Sequence, residues 1–97
     1  MSSEKSSETS DGARELPRVD FSTLVLSLAT AALYELGAVP DARSGEVIPA
    51  DPLVARQTLE TLEMLREKTQ GNLTEDERKL IDSLLYDLHM RFVELAR

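Results

Sequence analysis

The stretch Glu67-Lys-Thr-Gln-Gly-Asn-Leu-Thr-Glu-Asp-Glu77 constrains the chain more than any other, because it ends one helix and starts another within a few residues. Gly71, helped by Asn72, is a helix stop, since glycine takes the left-handed backbone that closes a last turn without a steric penalty. Lys68 lies in that last turn, where a cation suits the negative end of the helix dipole. Thr74 and Glu77 have the spacing of a capping box, in which each side chain satisfies the other residue's free backbone amide. Three acidic residues, Glu75 to Glu77, favour the same helix start electrostatically. A connection this short makes its two helices antiparallel neighbours.

The pattern on either side supplies the helices. Upstream, Asp51-Pro52 is a cap followed by a proline whose missing N–H costs nothing at the first helical position. Ala55, Thr58, Leu59, Leu62, Leu65 and Thr69 then recur at three and four, which predicts a helix over about 51–70. Downstream, Ile81, Leu84, Leu85, Leu88, Phe92 and Leu95 give the core face of a helix over about 74–96. Glu75 with Lys79 and Asp87 with Arg91 stand at the favourable four-residue spacing for ion pairs.

A third helix is predicted over about 20–36, capped by Asp20 and stopped by Gly37 with Pro40 beyond. It has no charge over the 14 residues Phe21 to Tyr34. Phe21, Leu24, Val25, Leu28 and Ala32 share one face, while Leu26 and Leu33 point the other way. A helix apolar on all sides is usually buried on all sides, and two partner helices do not surround it. On the last helix Tyr86, Met90 and Val93 recur opposite the leucines. Leu26, Leu33, Tyr86, Met90 and Val93 are therefore the candidate interface of a homo-oligomer, most simply a two-fold dimer.

The expected architecture is all-α: a small three-helix bundle with an antiparallel hairpin of helices two and three. Residues 17–97 form the domain. Residues 1–16, polar and charged after the initiator methionine, cannot bury enough apolar surface to offset their ordering entropy and read as a disordered tail. That tail has no apolar core of a signal peptide. Residues 39–49 read as a loop that could hold a short extended pair.

Function classes narrow by elimination. Without cysteine there is no thiol chemistry or thiolate metal site, which fits the cytoplasm. A net charge of −7 with no Lys/Arg block excludes a nucleic-acid footprint. The uncharged run is shorter than the ~20 residues needed to span a bilayer. His89, the only histidine, has no Glu-x-x-His or cysteine partner and reads as a boundary residue. Glu60, Glu63, Glu67 and Glu75 to Glu77 read as a solvated face, and Ser22, Ser27, Thr58 and Ser83 sit in no nucleophile elbow. The expectation is a protein that is no enzyme, with no cofactor and no metal. It is instead a self-associating interaction module presenting an acidic surface to a protein partner. The alternatives are a peripheral membrane protein anchored by helix 20–36, or a ligand carrier using Tyr34, Tyr86 and His89 between helices one and three.

Three strings, DFSTLVLSLATAALYELG, ARQTLETLEMLREKTQGNLT and LLYDLHMRFVEL, together resemble the bacterial family catalogued as domain of unknown function 1844. The similarity spans roughly residues 17 to 95. That family would have a basic residue where Gln70 stands, another near His89, and tyrosine at Phe92. The resemblance implies a small, mainly helical cytoplasmic bacterial protein and supplies no activity.

Overall fold

The computed structural model describes residue 16 and residues 18–96. Of the tail expected over 1–16, residues 1–15 lie outside the described residues, as do Pro17 and Arg97; Leu16, inside them, is exposed. Three helices follow: α1 (Phe21–Glu35), α2 (Pro52–Lys68) and α3 (Glu75–Ala96). Each packs against the other two, giving an all-α three-helix bundle.

Local chemistry sets both ends of α1 and α2 and the start of α3. The Asp20 carboxylate accepts from the Thr23 backbone N–H at 2.8 Å and from the Thr23 hydroxyl at 2.7 Å. At the other end of α1 the Gly37 N–H donates to Tyr34 O and the Ala38 N–H to Leu33 O, the paired bonds of a Schellman stop. Gly37 has φ +71°, where a side chain is strained, and a Cβ there would meet Ile48 O at 3.3 Å. The Asp51 carboxylate accepts from the Val54 N–H at 3.4 Å to open α2. That helix ends at Lys68, with Thr69–Gly71 in a turn and Gly71 at φ +86°. At the start of α3 the Glu77 carboxylate accepts from the Thr74 N–H at 2.8 Å, and Thr74 Oγ1 accepts from the Glu77 N–H at 3.1 Å.

The connection from α1 to α2 folds back on itself. Asp41 N–H donates to Glu46 O at 2.8 Å, and Pro40 and Val47 form an isolated antiparallel bridge. Asp51 N–H then reaches Glu35 O at 2.7 Å, so α2 starts beside the end of α1. The Thr58 hydroxyl donates to Glu35 Oε1 at 2.6 Å across the same seam. Helix α1 is thus antiparallel to α2.

The core is built from Val25, Ala29, Ala32 and Leu36 on α1 and its cap, Ala55, Leu59 and Leu62 on α2, and Ile81, Leu85 and Leu88 on α3. The α1 face differs from the sequence expectation in three places. Ala29 is buried, Leu24 is exposed, and Leu33, expected to point outward, is half-buried against the core. The reason is geometric. A helix that is apolar all round carries no periodic signal of which arc meets its neighbours, and the small residues Ala29 and Ala32 let the backbones approach most closely. Leu95, expected in the α3 core face, is exposed near the end of that helix.

Candidate functional site

Folding the hairpin about residues 69–74 brings the later half of α2 alongside the earlier half of α3, and a groove forms along their seam. Arg66 lies at its centre. The Arg66 guanidinium Nε is 3.2 Å from Asp82 Oδ1, and Arg78 Nη1 is 3.2 Å from Asp82 Oδ2, so one carboxylate sits between two arginines. Asp82 Oδ1 is buried and has no aligned hydrogen bond among the described residues. Its contact with Arg66 is therefore charge attraction rather than a directed bond, the angle being wrong at an acceptable distance.

Arg78 turns the other side of its fork to Glu75, at 2.5 Å from Nη2 to Oε2. This hydrogen bond, reinforced by the arginine's charge, holds the Glu75 carboxyl below its ordinary range, and the same contact raises Arg78. The expected Glu75–Lys79 pair is replaced by this three-residue pairing; Asp87 and Arg91 do pair, at 2.9 Å. Together Arg66, Gln70, Gly71, Leu73, Arg78 and Asp82 line a cavity of about 330 Å³ at the hairpin tip.

Two turns further along α3, His89 Nε2 lies 2.6 Å from Glu63 Oε2 on α2. The carboxylate accepts, so Nε2 carries the proton in this contact. Glu63, Arg66, Asp82, Leu85, Tyr86 and His89 line a second cavity of about 330 Å³, continuous with the first through Arg66 and Asp82. His89 is thus a half-exposed bridge between two helices. Tyr86 and His89 face α2, so they do not build the pocket with Tyr34 between α1 and α3 that the sequence left open.

The five interface candidates are not gathered on one face. Tyr86 lines the α2–α3 groove and is 71% exposed, with Met90 and Val93 following on the same exposed stripe. Leu26 is 47% exposed on α1, which contributes nothing to that groove's lining, and Leu33 packs inward. The turn residues divide as well. Thr74 and Glu77 bond to each other, whereas Gly71 reaches the tip cavity and Lys68 and Asn72 are exposed.

Nothing in the sequence pattern sets Glu63, Arg66 and Asp82 together. Arg66 lies three residues before the turn over 69–74 and Asp82 eight after it, so spacing alone does not pair them, and pairing them needs the register of the hairpin. Among the described residues no group of three or more His, Asp or Glu side chains could hold a metal ion, and no helix is long and apolar enough to cross a membrane. The groove can offer paired charges, an imidazole and a phenol to a surface laid against it.

The chain belongs to the family described as Domain of unknown function (DUF1844), whose model matches residues 18–94. No curated protein and no solved structure matches it.

Proposed function

We propose that this chain is a non-enzymatic protein-interaction module of the bacterial cytoplasm that pairs with a second copy of itself through the outer face of α1. One observation carries the reading: Thr23, Leu24, Leu26, Ser27 and Thr30 form an exposed, uncharged helix face in a chain of net charge −7. Two acidic molecules repel over most of their surfaces, and a neutral patch removes that cost where they meet. The hydroxyls on this face are already bonded within α1. Thr23 donates to the Asp20 carboxylate at 2.7 Å, Ser27 to Thr23 O at 3.0 Å, and Thr30 to Leu26 O at 2.9 Å. Burying the face therefore strands no donor, and Leu26 can seat beside the small Ser27 or Thr30 of a two-fold partner.

The test is light scattering of the full chain on a sizing column over a tenfold range of concentration. A dimer that Leu26→Glu converts to monomer is the expected result. A monomer at every concentration removes self-association from the proposal.

A further inference from the structure

The second exposed apolar feature, the α3 stripe of Tyr86, Met90 and Val93, has a neighbour of different character. Beside it on α2 run Glu60, Glu63 and Glu67, spaced three and four apart and so aligned as one ridge. The two helices are tied at this level by the 2.6 Å His89–Glu63 contact, and Glu63 and Tyr86 line the same cavity. Ridge and stripe are therefore adjacent. Each spans eight residues of helix, seven steps or roughly 10 Å at the α-helical rise, so they flank a groove about two turns long.

We infer that this groove docks a basic amphipathic helix of a partner protein, its apolar residues on Tyr86, Met90 and Val93 and its Lys or Arg side chains over Glu60, Glu63 and Glu67. The inference rests on the interaction-module reading but not on self-association. Charge selects the occupant. A second copy of this acidic chain laid two-fold across the groove would bring ridge towards ridge, and an anionic lipid surface would be repelled by it. A cationic helix meets neither penalty. The stripe suits a helix rather than an extended strand, because its side chains recur at four and three and present knobs at helical spacing. Met90 has an unbranched, polarizable side chain that adapts to the shape laid on it. The walls are already held, since Arg66–Asp82 and His89–Glu63 span the groove before anything binds.

The experiment uses the full chain and a fluorescein-labelled Leu/Lys peptide of about 18 residues patterned as an amphipathic helix. A scrambled peptide of the same composition and a Leu/Glu helix serve as comparators, with binding read by anisotropy. Saturable binding is expected for the Leu/Lys helix alone. Truncating the stripe in Y86S/M90S should weaken it about tenfold or more, as loss of a central apolar anchor does. Neutralising the ridge in E60Q/E67Q should weaken it about fivefold, and the charge-matched D76N/D87N less than about twofold. Equal binding of the scrambled peptide, or no loss in Y86S/M90S, overturns the inference. So does a change of oligomeric state in Y86S/M90S, which would assign the stripe to a second copy. Capture by anionic vesicles that Y86S/M90S abolishes would assign it to lipid and overturn it equally. A monomeric protein that still binds the Leu/Lys helix through the stripe removes only self-association and leaves the groove standing.

Discussion

Helices α1 and α3 make the same bundle from opposite materials. The buried face of α1 is small, with Val25, Ala29 and Ala32, while that of α3 is large, with Ile81, Leu85 and Leu88. Small residues allow the α1 backbone to come close to its neighbours, and the big side chains of α3 fill the core. Outside, the contrast reverses. The α1 surface is uncharged for a run of 14 residues, whereas α3 carries ion pairs such as Arg78–Glu75 and Arg91–Asp87 with an apolar stripe among them. Closeness and neutrality go together on α1, and filling and charge on α3. On the reading proposed above, the two surfaces serve two different kinds of contact with other molecules.

The sharpest way to break this contrast is to exchange size. Leu88, on α3, is fully buried, and Leu88→Ala should destabilise the fold by about 2–5 kcal/mol through lost transfer energy and the cavity left behind. On α1 the damaging change runs the other way: Ala32→Leu at a site with no exposure should cost about 1–3 kcal/mol by overpacking. Urea unfolding measures both, the midpoint falling while the slope stays the same. An Ala32→Leu protein as stable as the parent would mean that α1 is loosely seated and that its alanines do not set its distance.

Next in size is the difference between the two outer surfaces. Leu26→Glu should raise the dissociation constant of the proposed dimer about tenfold or more, because a carboxylate would be buried without a partner. Tyr86→Glu, on α3, should leave the dimer unchanged. If Tyr86→Glu dissociates the protein instead, the assignment of neutral α1 to self-association is reversed.

How much of this was legible in sequence depended on range. Asp20, Gly37, Asp51, Gly71, Thr74 and Glu77 each signal through neighbours within a few residues, and the helix ends they mark stand in the structure within one or two residues of the expected limits. The amphipathic patterns of α2 and α3 named their buried residues for the same reason, that period and packing agree. On α1 the pattern is degenerate, so Leu24 and Leu33 exchange environments with respect to expectation, and no periodicity marks Ala29 as buried. The groove was illegible for a different cause. Glu63 with His89 and Arg66 with Asp82 are each non-local, and their contacts exist only once the hairpin register is set. Arg78 forking between Glu75 and Asp82, and Glu75 leaving Lys79, is a rotamer preference that spacing alone does not decide.

A smaller effect tests how much the boxed start of α3 contributes. Thr74→Ala removes the acceptor for the Glu77 N–H and should cost about 1 kcal/mol in unfolding free energy. Glu77→Gln should cost less than this, because the amide oxygen can still accept from the Thr74 N–H. Equal losses for the two would show that the charge at Glu77, and not the reciprocal bonds, stabilises this helix end.

The smallest effect separates the two helix starts by the origin of their acidity. Asp20 at α1 lies below its ordinary value of 3.8 because the Thr23 backbone N–H, and then the Thr23 hydroxyl, donate to its ionised form. Glu75 at α3 lies below 4.5 because the Arg78 guanidinium donates to it and adds its positive charge. In both cases the folded state binds the proton more weakly than the unfolded chain. Their stabilisation is complete above those ordinary values and is lost as pH falls through the lower folded ones. Asp20→Asn should flatten part of that acid limb while leaving the neutral-pH midpoint nearly unmoved, since asparagine caps equally well. Salt then tells the two apart. In about 1 M NaCl the charge-dependent part of the Glu75 depression is screened, whereas the hydrogen bonds from Thr23 to Asp20 are short-range and persist. Carboxyl titrations followed by NMR should show Glu75 moving back towards its ordinary value and Asp20 staying low. If both move together, the α1 cap is governed by long-range field as α3 is, and the electrical contrast between the two helices does not extend to their ends.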